Sequence, residues 1–118
     1  MHNFKELIVW QKTRILVKDI YLLTEIFPNE EKFGLSSQIK RAAVSIASNI
    51  AEGAGRGSDK DFIRFLDMAN GSAFELETQL YLSFDLEFIE EEKLNKVLKQ
   101  LSEIQKLIYG FKAKLISN

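Results

Sequence analysis

Apolar residues recur along this chain in steps of three and four, and three interruptions divide them into four runs. The first run, from about Lys5 to Phe27, places Val9, Leu16, Ile20, Leu23 and Phe27 on one stripe, widened by Trp10, Val17 and Tyr21. That period predicts an amphipathic helix. Pro28 is expected to stop it, because proline lacks an N–H and disfavours a helical residue before it. Asn29 to Gly34 then form a connection. The second run, Leu35 to Glu52, turns Ile39, Ala42, Ala43, Ile46 and Ile50 to a core, with Gly53 expected as the left-handed residue that ends it. Ser58, followed three residues later by Asp61, predicts the capped start of a third helix. It buries Phe62, Phe65, Leu66, Ala69, Ala73, Leu76 and Leu80 and runs to about Leu86. The last run is a heptad seam: Leu94, Val97, Leu101, Ile104, Ile108, Phe111 and Leu115. Glu90 to Glu92 suit the positive end of its dipole, and Glu92 with Lys96 is an i,i+4 pair worth about 0.3 kcal/mol.

No segment alternates as a strand does. Long helices with short joints predict an all-α, antiparallel up-down-up-down four-helix bundle, a single domain over residues 1–118. The second run is unusual in holding mostly small side chains, RAAVSIASNIAEGAG. Small residues let several backbones come close, which points to an oligomer. Gly71, in mid-helix, costs about 1 kcal/mol relative to alanine. Close approach of another backbone, with the small residues of the second helix as the neighbour, is expected to offset it.

Composition narrows the chemistry. Cysteine is absent and the only histidine is His2, at a terminus expected to be mobile. No thiolate, zinc or histidine-based site can be assembled, and no cofactor is implied. Carboxylates such as Glu52, Glu75 and Glu77 lack a histidine or metal-ligand partner, so an enzyme is not expected. The short apolar run near the start has charges on both sides, unlike a secretory leader, and no stretch is long enough to span a bilayer. A cytoplasmic protein is the expectation. A formal charge of −1 gives no global attraction to nucleic acid, so such binding needs a local patch.

Arg41, Ser45, Asn49, Glu52, Arg56 and Arg64 are expected near one end of the subunit. The turn Gly53-Ala54-Gly55-Arg56-Gly57-Ser58 suggests a phosphate loop but follows a helix instead of a strand and lacks the Walker lysine. A helix-helix joint is the simpler reading. Free N–H groups at the start of the third helix, beside Arg56 and Lys60, remain able to hold a phosphate. The candidate nucleic-acid-binding residues are Lys40, Arg41, Arg56, Lys60 and Arg64, although Arg41 lies about 17 Å along its helix from Glu52. The competing reading pairs these arginines with Glu52, Asp61, Asp67 or Glu75.

The blocks FKELIVWQKTRILVKDIY, FGLSSQIKRAAVSIASNIAEGAGRGS and DFIRFLDMANGSAFELETQL resemble the bacterial four-helix bundle proteins related to those encoded in 23S ribosomal RNA intervening sequences. The resemblance runs from Phe4 to about Ile89, and the last helix matches only in pattern. That family includes the accessory variability determinant of diversity-generating retroelements. The resemblance implies a homopentamer, and in the retroelement branch basic surfaces that bind nucleic acid and a reverse transcriptase. Three positions depart from the pattern: Ala47 where proline is frequent, Glu87 for a customary glycine, and Glu90 for a capping serine or threonine. The basic character of the nucleic-acid-binding branch is also missing, since Ala54 to Phe88 carry three basic and seven acidic residues. Two functions follow: a non-enzymatic oligomeric scaffold that binds RNA or ribonucleoprotein through the patch near the second joint, or a protein-interaction hub without nucleic-acid contact. The hub reading rests on apolar residues left over from one core, Trp10, Tyr21, Ile63, Phe74 and Tyr81.

Overall fold

A computed structural model describes residues 2–117. Four α-helices make up the body: α1 (Ile8–Thr24), α2 (Leu35–Ala54), α3 (Asp59–Asp85) and α4 (Glu91–Ser117). Short 3₁₀ turns at Phe4–Glu6 and Asn29–Glu31 precede α1 and α2, and the described residues contain no strand. The molecule measures 46 × 24 × 20 Å along its principal axes. Contacts between neighbouring helices run in opposite senses. Ser45 meets Ser72 while Gly53 meets Phe62, and Lys12 meets Glu103 while Asp19 meets Gln100.

The main apolar stripe of each helix is buried except at Phe111, which is half-buried and packs against the core; of the residues expected to widen the first stripe, Trp10 and Val17 are half-buried and Tyr21 is exposed. Leu16, Ile20, Ile39, Ile46, Ile50, Leu66, Leu76 and Leu80 lose all exposure. Two hydroxyls trapped among them bond back to their own helices: Thr13 donates to the Val9 carbonyl at 2.7 Å and Ser83 to the Gln79 carbonyl at 2.8 Å.

The first helix differs from its expected span. Leu7 is extended (φ −74°, ψ 123°), so the 3₁₀ turn at Phe4–Glu6 and α1 are separate pieces. The break lets Phe4 fold back edge-on to Trp10, with ring centroids 4.9 Å apart, while Gln11 donates to the Lys5 carbonyl at 2.8 Å. The terminus ahead of it is also anchored, contrary to expectation. The His2 N–H donates to Ala54 at 2.8 Å, and its ring lies 5.2 Å from Phe62 and 5.8 Å from Phe111. At the other end α1 closes at Thr24, and Phe27 reaches the core from the turn before Pro28. Glu92 and Lys96 form no ion pair among the described contacts; Lys96 instead lines the groove between α1 and α4.

Two glycines behave differently from their sequence assignment. Gly53 is helical and has no positive φ; α2 continues through Ala54 to its cap at Gly55. Its role is close approach. A Cβ built there would lie 2.8 Å from both Phe62 Cδ1 and Phe65 Cβ, so only glycine lets α3 cross α2 at that distance. At Gly71, by contrast, an added Cβ meets nothing within 4 Å, so no backbone of the same chain approaches it.

The left-handed residue sits at the third joint. Glu87 has φ 64°, the only positive φ at a non-glycine position among the described residues. Around it, Phe88 N–H donates to Ser83 and Glu87 N–H to Phe84, both at 2.9 Å, the paired bonds of a Schellman cap. Phe88 then packs on Phe27, 5.5 Å between centroids. A side chain in this conformation costs about 1–2 kcal/mol. Glu87→Gly is therefore expected to stabilise the chain by about 1 kcal/mol after allowing for the freer unfolded glycine, raising Tm by a few degrees. Gly53→Ala should do the opposite. The helix-propensity gain of about 1 kcal/mol is outweighed by overpacking of about 1–3 kcal/mol against two phenylalanines. Urea denaturation of both variants checks the pair of signs.

Candidate functional site

The α2–α3 joint is built by backbone bonds that leave no slack. Gly55 N–H donates to Ala51 and Glu52, Arg56 N–H to Gly53, and the Ser58 hydroxyl accepts from Asp61 N–H at 3.2 Å. The expected N-cap is therefore in place. Phe65, one turn into α3, is buried but lies outside the main core cluster. Two guanidiniums cover it: Arg56 at 4.6 Å and Arg64 at 5.0 Å from the ring centroid. Such contacts contribute about 0.5–1 kcal/mol each at exposed sites and hold the arginines in place. Each also approaches a carboxylate loosely, Arg56 to Glu52 at 3.9 Å and Arg64 to Asp61 at 3.8 Å. These are exposed pairs of about 0–1 kcal/mol, and neither closes off its guanidinium.

The five candidate residues do not form one patch. Arg56, Lys60 and Arg64 share the joint. Lys40 lies on the second turn of α2, about 24 Å along the helix from Arg56 at 1.5 Å per residue. There it stands over Tyr21 of α1 at 5.3 Å. Arg41 is exposed beside it and makes no ion pair among the described residues. The polar residues between the two places are occupied with each other. Ser45 and Ser72 hydroxyls meet at 2.8 Å, and Asn49 Nδ2 donates to the Ser45 carbonyl at 2.9 Å and its hydroxyl at 3.1 Å. They tie α2 to α3.

The fold adds residues that sequence order hides. The last turns of α4 return to the joint: Phe111 packs 5.2 Å from Phe62, and Lys112 meets Asp67 at 2.6 Å. Asp67 and Lys112 thereby neutralise each other beside the joint. Nothing in the local sequence marks Lys112. Phe65 carried a signal that pointed elsewhere, since its spacing matches the core stripe. Against the cations stand Glu52, Asp59 and Asp61, which cancel the formal charge of Arg56, Lys60 and Arg64. No group of three or more metal-ligating side chains converges among the described residues.

A second feature lies on the opposite side of the bundle. An open groove follows the α1–α4 seam, lined at one end by Leu22, Lys96 and Gln100 and at the other by Ile8, Lys106 and Lys114. Lys12 crosses it to Glu103 at 2.6 Å, and Gln100 donates to Asp19 at 2.8 Å. Of the apolar residues expected to be left over, Trp10 and Ile63 are half-buried against the core, while Tyr21, Phe74 and Tyr81 are exposed. No helix is long and apolar enough to cross a membrane.

This arrangement can be set against known proteins. The sequence model of the 23S rRNA-intervening sequence protein family matches residues 5–110. The chain belongs to that family. Among solved structures, a protein of unknown function from the S23 ribosomal protein family of Bacteroides thetaiotaomicron VPI-5482 superposes with a TM-score of 0.80 at 30% identity, covering 89% of this chain and 98% of that one. No curated protein matches. The matched family segment contains the whole α2–α3 joint, Phe65 and its two arginines, and stops just before Phe111 and Lys112.

The ammonium of Lys12, hydrogen-bonded to the carboxylate and adding its charge, holds Glu103 below the ordinary glutamate range. The folded pKa is depressed, so the pair's stabilisation is complete above the unfolded pKa and disappears as pH falls through the folded one. An NMR titration of the Glu103 carboxyl carbon should show the lowered midpoint in the wild type and a higher one in Lys12→Met, where only the weaker pull of Lys99 remains.

Proposed function

We propose that this family member is a non-enzymatic scaffold, an antiparallel up-down-up-down bundle that self-associates and contacts RNA at its joint end. The observation that carries the scaffold reading is the surface. Ile8, Ile15 and Leu22 on α1, Ile26 in the turn after it, and Met68, Phe74, Tyr81 and Leu82 on α3 are all exposed, on two separate faces. Contiguous apolar surface of this kind marks protein contacts. The homopentamer implied by the resemblance is the assembly this reading favours, in a cytoplasmic setting and without a cofactor.

The RNA contact is supported by Arg56 and Arg64, braced on Phe65 with their N–H groups only loosely engaged, and by the exposed Lys60 between them. Lys40 and Arg41 stand too far along α2 to share one short phosphate run with them, and would serve a longer RNA. The cancelling charges of Glu52, Asp59 and Asp61 favour the second reading, a protein-interaction hub whose partner, instead of the chain itself, touches nucleic acid.

Fluorescence anisotropy of a labelled structured RNA, titrated at low and near-physiological salt, separates the two. Direct contact is expected to give binding that weakens with salt. Arg56→Glu combined with Arg64→Glu should then abolish it, while the mass by light scattering stays unchanged. Wild-type binding that survives the double substitution overturns this site. No wild-type binding at either salt overturns RNA contact and leaves the hub.

A further inference from the structure

The two apolar faces are matched in length, period and charge. On α1, Ile8, Ile15 and Leu22 recur every seven residues and rim the α1–α4 groove. On α3, two exposed rows share that repeat: Asp67, Phe74, Tyr81 and Met68, Glu75, Leu82. Each row spans about 21 Å at 1.5 Å per residue. Gly71 and Thr78 lie between the α3 rows, so the ridge is low along its middle. The cost of Gly71 in a helix is not offset within the protomer, because the space where its Cβ would stand is open.

Charge decides the occupant. From Leu66 to Asp85 helix α3 has no basic residue but carries Glu75, Glu77 and Asp85 besides Asp67, which Lys112 already neutralises. The α4 wall of the groove carries Lys96, Lys106 and Lys114, none in an ion pair within the described chain. Of the groove's own acids, Glu103 is paired with Lys12 and Asp19 accepts from Gln100, while Glu6 at the far end has no ion pair among the described residues, so the lysines outnumber the unpaired acids. An acidic helix with large apolar side chains at seven-residue spacing is what this groove fits, and the chain's own α3 is such a helix.

We propose that the α3 ridge of one copy seats in the α1–α4 groove of the next. This rests on the self-association reading above and specifies its surfaces. Ridge and groove are different faces of one molecule, so the contact is head-to-tail and repeats until a ring closes. Phe74 and Tyr81 are the aromatic anchors, with Glu75 and Asp85 facing the lysines.

The test uses two full-length variants, Phe74→Glu on the ridge and Ile15→Glu in the groove. Both residues are 57% exposed, so neither change should disturb the fold, and circular dichroism checks this. By size-exclusion chromatography with light scattering, the wild type is expected as a multimer and each variant as a monomer, with affinity weakened at least about tenfold. Mixed in equal amounts, the variants should form a 1:1 heterodimer and nothing larger, because one intact ridge and one intact groove remain. Should either variant lose helicity, the pair Glu75→Lys and Lys96→Glu replaces it, weakened alone and restored on mixing. A multimeric wild type whose folded variants keep its mass, or stay monomeric when mixed, overturns the ridge-in-groove contact but leaves self-association standing. A monomeric wild type overturns both.

Discussion

Phe62 rests on Gly53, and the placement of the joint, the terminus and the joint arginines follows from that contact. With no Cβ on Gly53, α3 begins its run directly against the last turn of α2, within a distance that alanine could not share. Phe62 is then free to accept His2 and Phe111, whose rings also lie 5.8 Å from each other, in one aromatic cluster. The two ends of the chain are drawn to the same place. Phe65, one turn beyond, is pressed against the outside of this crossing, where its ring can be covered only by side chains from the joint. Arg56 and Arg64 are those side chains. Their fixed position is thus a consequence of packing, and any function they have at the surface is derived from a buried glycine.

The charges follow a different logic from the core. Most ion pairs are exposed and contribute little to folding, so they can be distributed for other ends. At the joint they nearly cancel, which leaves a site of oriented guanidiniums without a strong field. Along α3 towards the third joint they do not cancel, and the acidic run continues through Glu92. The lysines gather on α4. A chain with a formal charge of −1 therefore presents separate acidic and basic faces, and local complementarity says more about partners than the total does.

The third joint carries strain that the second avoids. A left-handed residue is needed after α3 so that Phe88 can fold back onto Phe27. Here the position is filled by glutamate, where the family resemblance expects glycine. The paired backbone bonds of the cap and the aromatic contact over-determine the conformation, which is how a non-glycine residue is kept there. At Glu90, where the resemblance expects a capping serine or threonine, no side-chain cap is formed among the described bonds, while its carbonyl accepts the first helical bond from Leu94 N–H.

Hydrophobic period by itself determined the four helices and nearly all of the core, because burial of a stripe every three or four residues leaves a helix no other face to hide. Ser58 as a cap and the capacity of the small residues on α2 for close packing were equally legible, being local. What sequence order could not convey was which side chains meet across helices. It assigned Gly53 to a left-handed cap when the positive φ belongs to Glu87, gave α1 an unbroken start, and left His2 loose. It already set Arg41 about 17 Å along its helix from Glu52, but could not show Lys40 standing over Tyr21 of α1, away from the joint. Only the tertiary structure could place Phe65 beneath two arginines, bring Lys112 to Asp67, and separate an acidic ridge from a lysine-lined groove. Those relations depend on how neighbouring helices are set against each other, a property of packing between helices that no single helix encodes.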